Sequence, residues 1–179
     1  MEPTSFLALL AQTRTPTERA AILGRATPHY CRTRLLTVTT LEAATAVVAR
    51  ATALEGGSLD PVAAAWAART PNPVTRARQR EQGRALLRLT GLGSAHLPRA
   101  VALGAVAAKS DISAEDLARM VGFDDIQAVL ESADPAEGRA WGAGLLADVK
   151  NMAAQVAHMV DPAQIPATGA ELVRYAVAR

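Results

Sequence analysis

Across residues 135–160 the apolar positions Trp141, Leu145, Val149, Met152, Val156 and Met159 follow steps of four and three. That spacing stacks side chains along one face of an α-helix. It predicts one long helix opening at Pro135, whose stripe serves as a core surface or a dimer seam. Residues 34–54 repeat the pattern with smaller side chains, Leu41, Ala44, Val48 and Ala51, and so predict a helix with a close neighbour. No stretch alternates cleanly as a half-buried strand does. Helix starts are signalled by a capping residue followed by proline at Thr15-Pro16, Asp60-Pro61, Asn72-Pro73, Asp134-Pro135 and Asp161-Pro162. Proline suits the first helical position because the N–H it lacks has no partner there. With glycine- and proline-rich breaks at 55–58, 90–94 and 161–169, helices are predicted at 5–12, 16–26, 34–54, 61–69, 73–90, 97–109, 113–121, 124–132, 135–160 and 168–177. The expected fold class is all-α, one domain over 1–179 formed by a bundle of about eight to ten helices.

Composition narrows the kind of bundle. Half of the 179 residues are hydrophobic, but aromatics supply only 3% and alanine about a fifth. Alanine loses no side-chain entropy in a helix, and its small surface lets helix axes approach closely. The formal net charge of +2 gives the chain no strong field for nucleic acid or a membrane surface, so neither is an expected partner. Cys31 is the only cysteine, which excludes an internal disulfide and a thiolate metal cluster and fits a reducing compartment. The first residues lack a signal-peptide pattern, and no apolar run approaches the ~18 residues of a membrane span, so a cytoplasmic location is expected.

Arg76, Arg80, Arg84 and Arg88 recur every four residues on the helix opening near Pro73. Like charges at that spacing repel by a few tenths of a kcal/mol per pair in an isolated helix. The row is read either as a solvated face or as a face for an acidic protein surface or phosphates, which arginine forks grip bidentately. A nucleic-acid face is disfavoured, because aromatic residues for base stacking are missing around it. Residues 113–133 have the outline of a helix-turn-helix, with Ser113 and Asp116 as a capping-box variant and Gly122 at the turn. Its second helix would carry Asp124, Asp125 and Glu131 where phosphates lie, and so reads DNA poorly. A helical DNA-binding or ligand-sensing regulator is the alternative function this segment supports. His29, Cys31, His96 and His158, with Met152 and Met159 as soft additions, lack metal-ligand spacing; His29 reads as a half-exposed loop histidine, Cys31 as a packed thiol and His158 as a residue at the edge of the long helix's apolar stripe. Nucleophile elbows, phosphate loops and HExxH are absent, so no catalytic residue, metal or cofactor is expected and the protein is not read as an enzyme.

The segment Ala68-Arg69-Thr70-Pro71-Asn72-Pro73, followed by Gln82-Gly83-Arg84-Ala85-Leu86-Leu87-Arg88-Leu89, resembles the urease accessory protein family UreF, above all its actinobacterial members. A looser resemblance covers residues 30–177, through Arg32-Thr33-Arg34-Leu35-Leu36-Thr37, the Asp134-Pro135 helix start and the 161–165 break. It implies an all-helical, non-enzymatic chaperone of urease maturation. Such a protein dimerises, binds the accessory protein UreD (also called UreH), and with it recruits the GTPase UreG so that nickel reaches apo-urease. The partner-binding residues so implied are Arg76, Arg80, Gln82, Gly83, Arg84, Arg88 and, near the end, Tyr175. The family's N-terminal Leu-Pro-x-Gly and Ser-x-Gly-(Leu or Ile)-Glu motifs and its C-terminal Arg-Leu-Phe pattern are missing, which marks a divergent, shortened member. Gly83 carries a physical expectation of its own. Glycine inside a helix costs about 1 kcal/mol relative to alanine, and the close approach of another backbone is the compensation expected.

Overall fold

The computed structural model describes residues 28–132 and 135–167. Helix α1 (Pro28–Arg34) passes through a π-helical turn (Leu35–Thr39) directly into α2 (Thr40–Leu54). There follow α3 (Asp60–Ala68), α4 (Pro73–Leu89), α5 (Arg99–Lys109), α6 (Ala114–Ser132), α7 (Pro135–Val156) and a 3-10 turn at Pro162–Gln164. No strand occurs among the described residues, and no helix there is long and apolar enough to cross a membrane. The fold is all-α.

With α1 and α2 taken as one continuous body, the described residues form six helices, fewer than the eight to ten expected. The helices predicted at 5–12, 16–26 and 168–177 lie outside the described residues. The other difference is physical: the segments predicted at 113–121 and 124–132 are a single helix, α6, and the turn expected at Gly122 does not form. A Cβ on Gly122 would lie 2.8 Å from Val149 Cγ1 and 3.0 Å from Met152 Cε, both on α7. Glycine is therefore present there to let α6 and α7 approach, and the helix-turn-helix reading loses its turn.

Proline-led starts set the boundaries elsewhere. The Asn72 side chain accepts from the backbone N–H groups of Val74 at 2.9 Å and Thr75 at 3.3 Å, capping α4 as expected. Asp60, expected as a cap, is instead the first residue of α3. Asp161 and Gln164 form a reciprocal capping box around the 3-10 turn. The chain leaves α7 at Val156, not at 160, and turns Ile165 inward against Val62 and Val101.

At the centre lies α2, on which α3, α5, α6 and α7 all pack. Ala43, Ala44, Ala46, Val47, Val48 and Ala49 are consecutive or nearly so and all almost fully buried, as a helix enclosed on every side requires. The closest neighbour is α5. A Cβ on Gly104 would collide with the carbonyl oxygen of Ala46 and stand 2.6 Å from Ala49 Cβ and 2.7 Å from the Arg50 nitrogen. Small residues on both helices thus bring the two backbones into contact. The stripe on α7 is a core surface of this same chain: Leu145, Val149, Met152 and Val156 are buried, and Trp141 and Met159 pack partly buried against them. Gly104→Ala forces these backbones apart, and overpacking of this kind costs about 1–3 kcal/mol. The denaturant midpoint is expected to fall with an unchanged slope; an unmoved midpoint would mean that α2 and α5 are not in contact at this point.

Candidate partner-binding surface

The polar residues that organise this surface lie beneath it. Arg99 opens α5 at 3% exposure. A cation at a helix N-terminus opposes the helix dipole, so it needs carboxylates nearby. They come from two other helices: Asp124 Oδ2 of α6 accepts from the guanidinium at 3.0 Å, and Glu42 Oε2 of α2 stands 3.8 Å away. Glu42 also accepts a 2.9 Å hydrogen bond from Gln79 Nε2 on α4. Four helices therefore converge on one buried guanidinium. A second buried carboxylate, Asp125, accepts from the Thr39 hydroxyl in the π-turn and pairs with Arg34 at 3.2 Å. Asp124 and Asp125, which the sequence placed on an outward acidic face, are 6% and 2% exposed. They are structural anchors.

The same buried contacts fix the orientation of α4. Its inner face is Gln79, Gln82, Gly83, Leu86 and Leu87. A Cβ on Gly83 would collide with the Leu97 carbonyl and lie 2.8 Å from the Pro98 carbonyl carbon. That is the close backbone approach expected at this glycine. Of the four arginines, Arg80 and Arg88 are exposed, whereas Arg76 and Arg84 are half-buried. Arg76 donates to the carbonyl oxygens of Thr70 at 2.9 Å and Pro71 at 3.1 Å, bracing the loop before its own helix. Gln82 and Gly83 are buried, and Tyr175 lies outside the described residues.

Beside α4 a groove of about 230 Å³ opens between the π-turn, the start of α2, the end of α3 and the α3–α4 loop. Val38, Leu41 and Trp66 give it apolar walls; Arg69, Thr70 and Gln79 add polar ones. Because a carboxylate only accepts, the Gln79 amide must turn its nitrogen to Glu42, leaving Oε1 as an acceptor. That oxygen, Thr70 Oγ1 and Arg69 Nε are all buried and have no hydrogen-bond partner among the described residues. A larger groove of about 520 Å³ between α6 and α7 contains no residue of α4.

The candidate ligands for metal are scattered. His29 is exposed on α1 and not in a loop, and His158 is exposed just beyond α7. His96 lies 3.9 Å from Glu81, both in solvent. Cys31 is buried; burial pushes its thiol up, against the lowering effect of Arg34 and with a further rise from Asp125. No group of three or more metal-binding side chains occurs among the described residues.

These features define an all-helical protein whose buried charges lock the helices together and whose α4 displays exposed arginines to solvent. The UreF family model matches residues 24–133, more than half of the chain, and the chain belongs to the UreF family. UreF is a family of urease accessory proteins and not of enzymes. The match contains the Arg69–Leu89 stretch and α1 to α6, and it stops before α7. No curated protein and no solved structure matches.

Arg99, Glu42 and Gln79 were missed by sequence reasoning, although Arg99 and Glu42 each interrupt an apolar run, which is the available signal for a buried polar group; Gln79, on a polar helix, carries no such signal. Removing one partner of a buried ion pair costs about 3–5 kcal/mol, because the other charge is stranded. Arg99→Met is expected to destabilise by that much in equilibrium unfolding, while Arg80→Ala on the exposed face stays within about 0.5 kcal/mol of the parent.

Proposed function

We propose that this protein is a non-enzymatic urease maturation factor that acts as a docking scaffold. It binds a UreD/UreH-like accessory protein and a UreG-like GTPase, and so supports nickel insertion into apo-urease. It works in the cytoplasm as a homodimer of single-domain subunits, with nickel as cargo and no resident cofactor. The observation that carries this reading is the family match over 24–133, within which α4 is held by buried contacts on one side and offers Arg80 and Arg88 on the other. Arginine suits the role, since its planar fork grips carboxylates bidentately and is weakly hydrated. Arg76, Arg84, Gln82 and Gly83 contribute by setting the position of that helix, and Tyr175 belongs to a second contact near the end of the chain.

Deletion of the gene in a urease-producing host should abolish urease activation at ordinary nickel and restore only part of it in excess nickel. Full activity in the deletion strain would end the maturation reading. Arg80→Glu with Arg88→Glu leaves the fold intact, since both side chains are in solvent, and should weaken capture of the UreD-like partner at least tenfold, equivalent to about 1.4 kcal/mol. Unchanged capture in a pull-down with purified partner would reduce the arginine face to a solvated surface.

A further inference from the structure

Helix α3 is anchored along one side only. Val62 and Trp66 turn inward and are buried, whereas Ala63 and Ala67 are half-buried and Ala64 is exposed. The helix packs on α2 and on the 3-10 turn, and it scarcely touches α4. This leaves a hollow of about 470 Å³ between α3 and α4. Asp60 and the three alanines line it from α3, Arg80 from α4, and His96 from the segment before α5. Asp60, Ala64, Arg80 and His96 are also open to solvent.

We propose that this hollow receives an α-helix of a protein partner, with a carboxylate of that helix turned toward Arg80. Charge complementarity sets the sign. Arg76, Arg78, Arg80, Arg84 and Arg88 give α4 five cations against one acid, Glu81, in a chain whose net charge is only +2. Glu81 lies 3.9 Å from His96, and Arg80 has no ion pair among the described residues. Asp60 on the opposite wall repels carboxylates, so the partner's acid points to α4. The alanine wall sets the kind of element. Methyl groups neither donate nor accept, so an extended segment laid on them would leave backbone N–H and C=O groups unmatched, whereas a helix pairs these groups internally. Short side chains also let its axis come toward the lower end of the roughly 8–10 Å usual between packed helices. A free small molecule fits poorly, because such ligands bury about 70–90% of their surface and this hollow is open at four of its lining residues. The inference rests on α4 being a partner-binding face and adds what the partner presents to it.

The test is a fluorescence-anisotropy titration of the full-length protein into labelled synthetic peptides. The probe is an alanine-rich helical peptide with glutamates one turn apart along one face. One control replaces the glutamates with lysines; another keeps them but carries a central proline, which breaks the helix. The helical glutamate peptide should bind saturably, and both controls at least tenfold more weakly. Arg80→Ala should weaken binding about fivefold, the upper end for an ion pair near solvent. Ala64→Arg places a good helix former at an exposed position and keeps the fold. It adds a cation, yet it should weaken binding at least tenfold because the longer side chain obstructs the hollow; attraction by charge alone predicts tighter binding. A proline peptide that binds as well as the helical one would leave only a general affinity of α4 for acids. Unchanged or tighter binding in Ala64→Arg would put the peptide elsewhere on that helix. Either overturns the proposal, as does the absence of saturable binding by the glutamate peptide. A deletion strain that activates urease normally, alongside helix binding that Ala64→Arg removes, would withdraw the maturation role and leave the hollow standing.

Discussion

The guanidinium of Arg99 is the group around which this fold is arranged. An alanine-rich interface is favourable but weakly directional. Its side chains form shallow ridges, so sliding one helix along another sacrifices few contacts. A buried charge is different. It has one position at which it meets its counter-charges, and away from that position it is stranded in a medium that solvates it poorly. With Asp124 at 3.0 Å, Glu42 at 3.8 Å and Gln79 bonded in turn to Glu42, the network sets the register of α2, α4, α5 and α6 together. The second cluster, Asp125 with Thr39 and Arg34, ties α6 to the π-turn from the other side.

The π-turn fits this scheme. Extra residues in a helical turn rotate the next stretch of helix about its axis, and at Leu35–Thr39 the result carries Thr39 inward to Asp125 while Val38 stays at the surface. The Thr40 hydroxyl donates to the Leu35 carbonyl at 2.6 Å, the same oxygen its own backbone N–H reaches, so two bonds close the widened turn. Such irregular turns occur frequently at functional sites. Here the turn forms one wall of the groove beside α4.

Helix positions were legible because proline and capping residues act locally: Asn72-Pro73 and Asp161-Pro162 work over two or three residues, and the structure keeps both caps. Gly83 was legible for the same reason, since a mid-helix glycine needs a compensation wherever it occurs. Gly122 misled because the same residue type serves both turns and close helix contacts, and only the α7 side chains 27 and 30 positions later, Val149 and Met152, distinguish them. Asp124 and Asp125 misled in the same way. Acidic residues are normally exposed, and their partners Arg99 and Arg34 lie 25 and 91 residues away. The four-residue arginine period was visible, but its division into two exposed and two half-buried members was not. That division depends on where the α3–α4 loop returns to the helix.

The division also explains how α4 tolerates the row. Four arginines on one helical face would oppose helix formation if all four stood in solvent. Arg76 donates to the Thr70 and Pro71 carbonyls, whose partial negative charges offset part of its repulsion and which it braces at the helix start. Arg84 is half-buried and keeps its charge between Arg80 and Arg88, the two exposed members of the row, two turns apart. Repulsion between the two exposed charges is largely screened at physiological salt, and each pair with Arg84 costs a few tenths of a kcal/mol. Meanwhile the inner face is fixed by Gly83 against the Leu97–Arg99 backbone and by Gln79 against Glu42. The outward arginines therefore sit on a helix whose position is settled before any partner arrives, and binding to them need not include the entropy cost of ordering that helix.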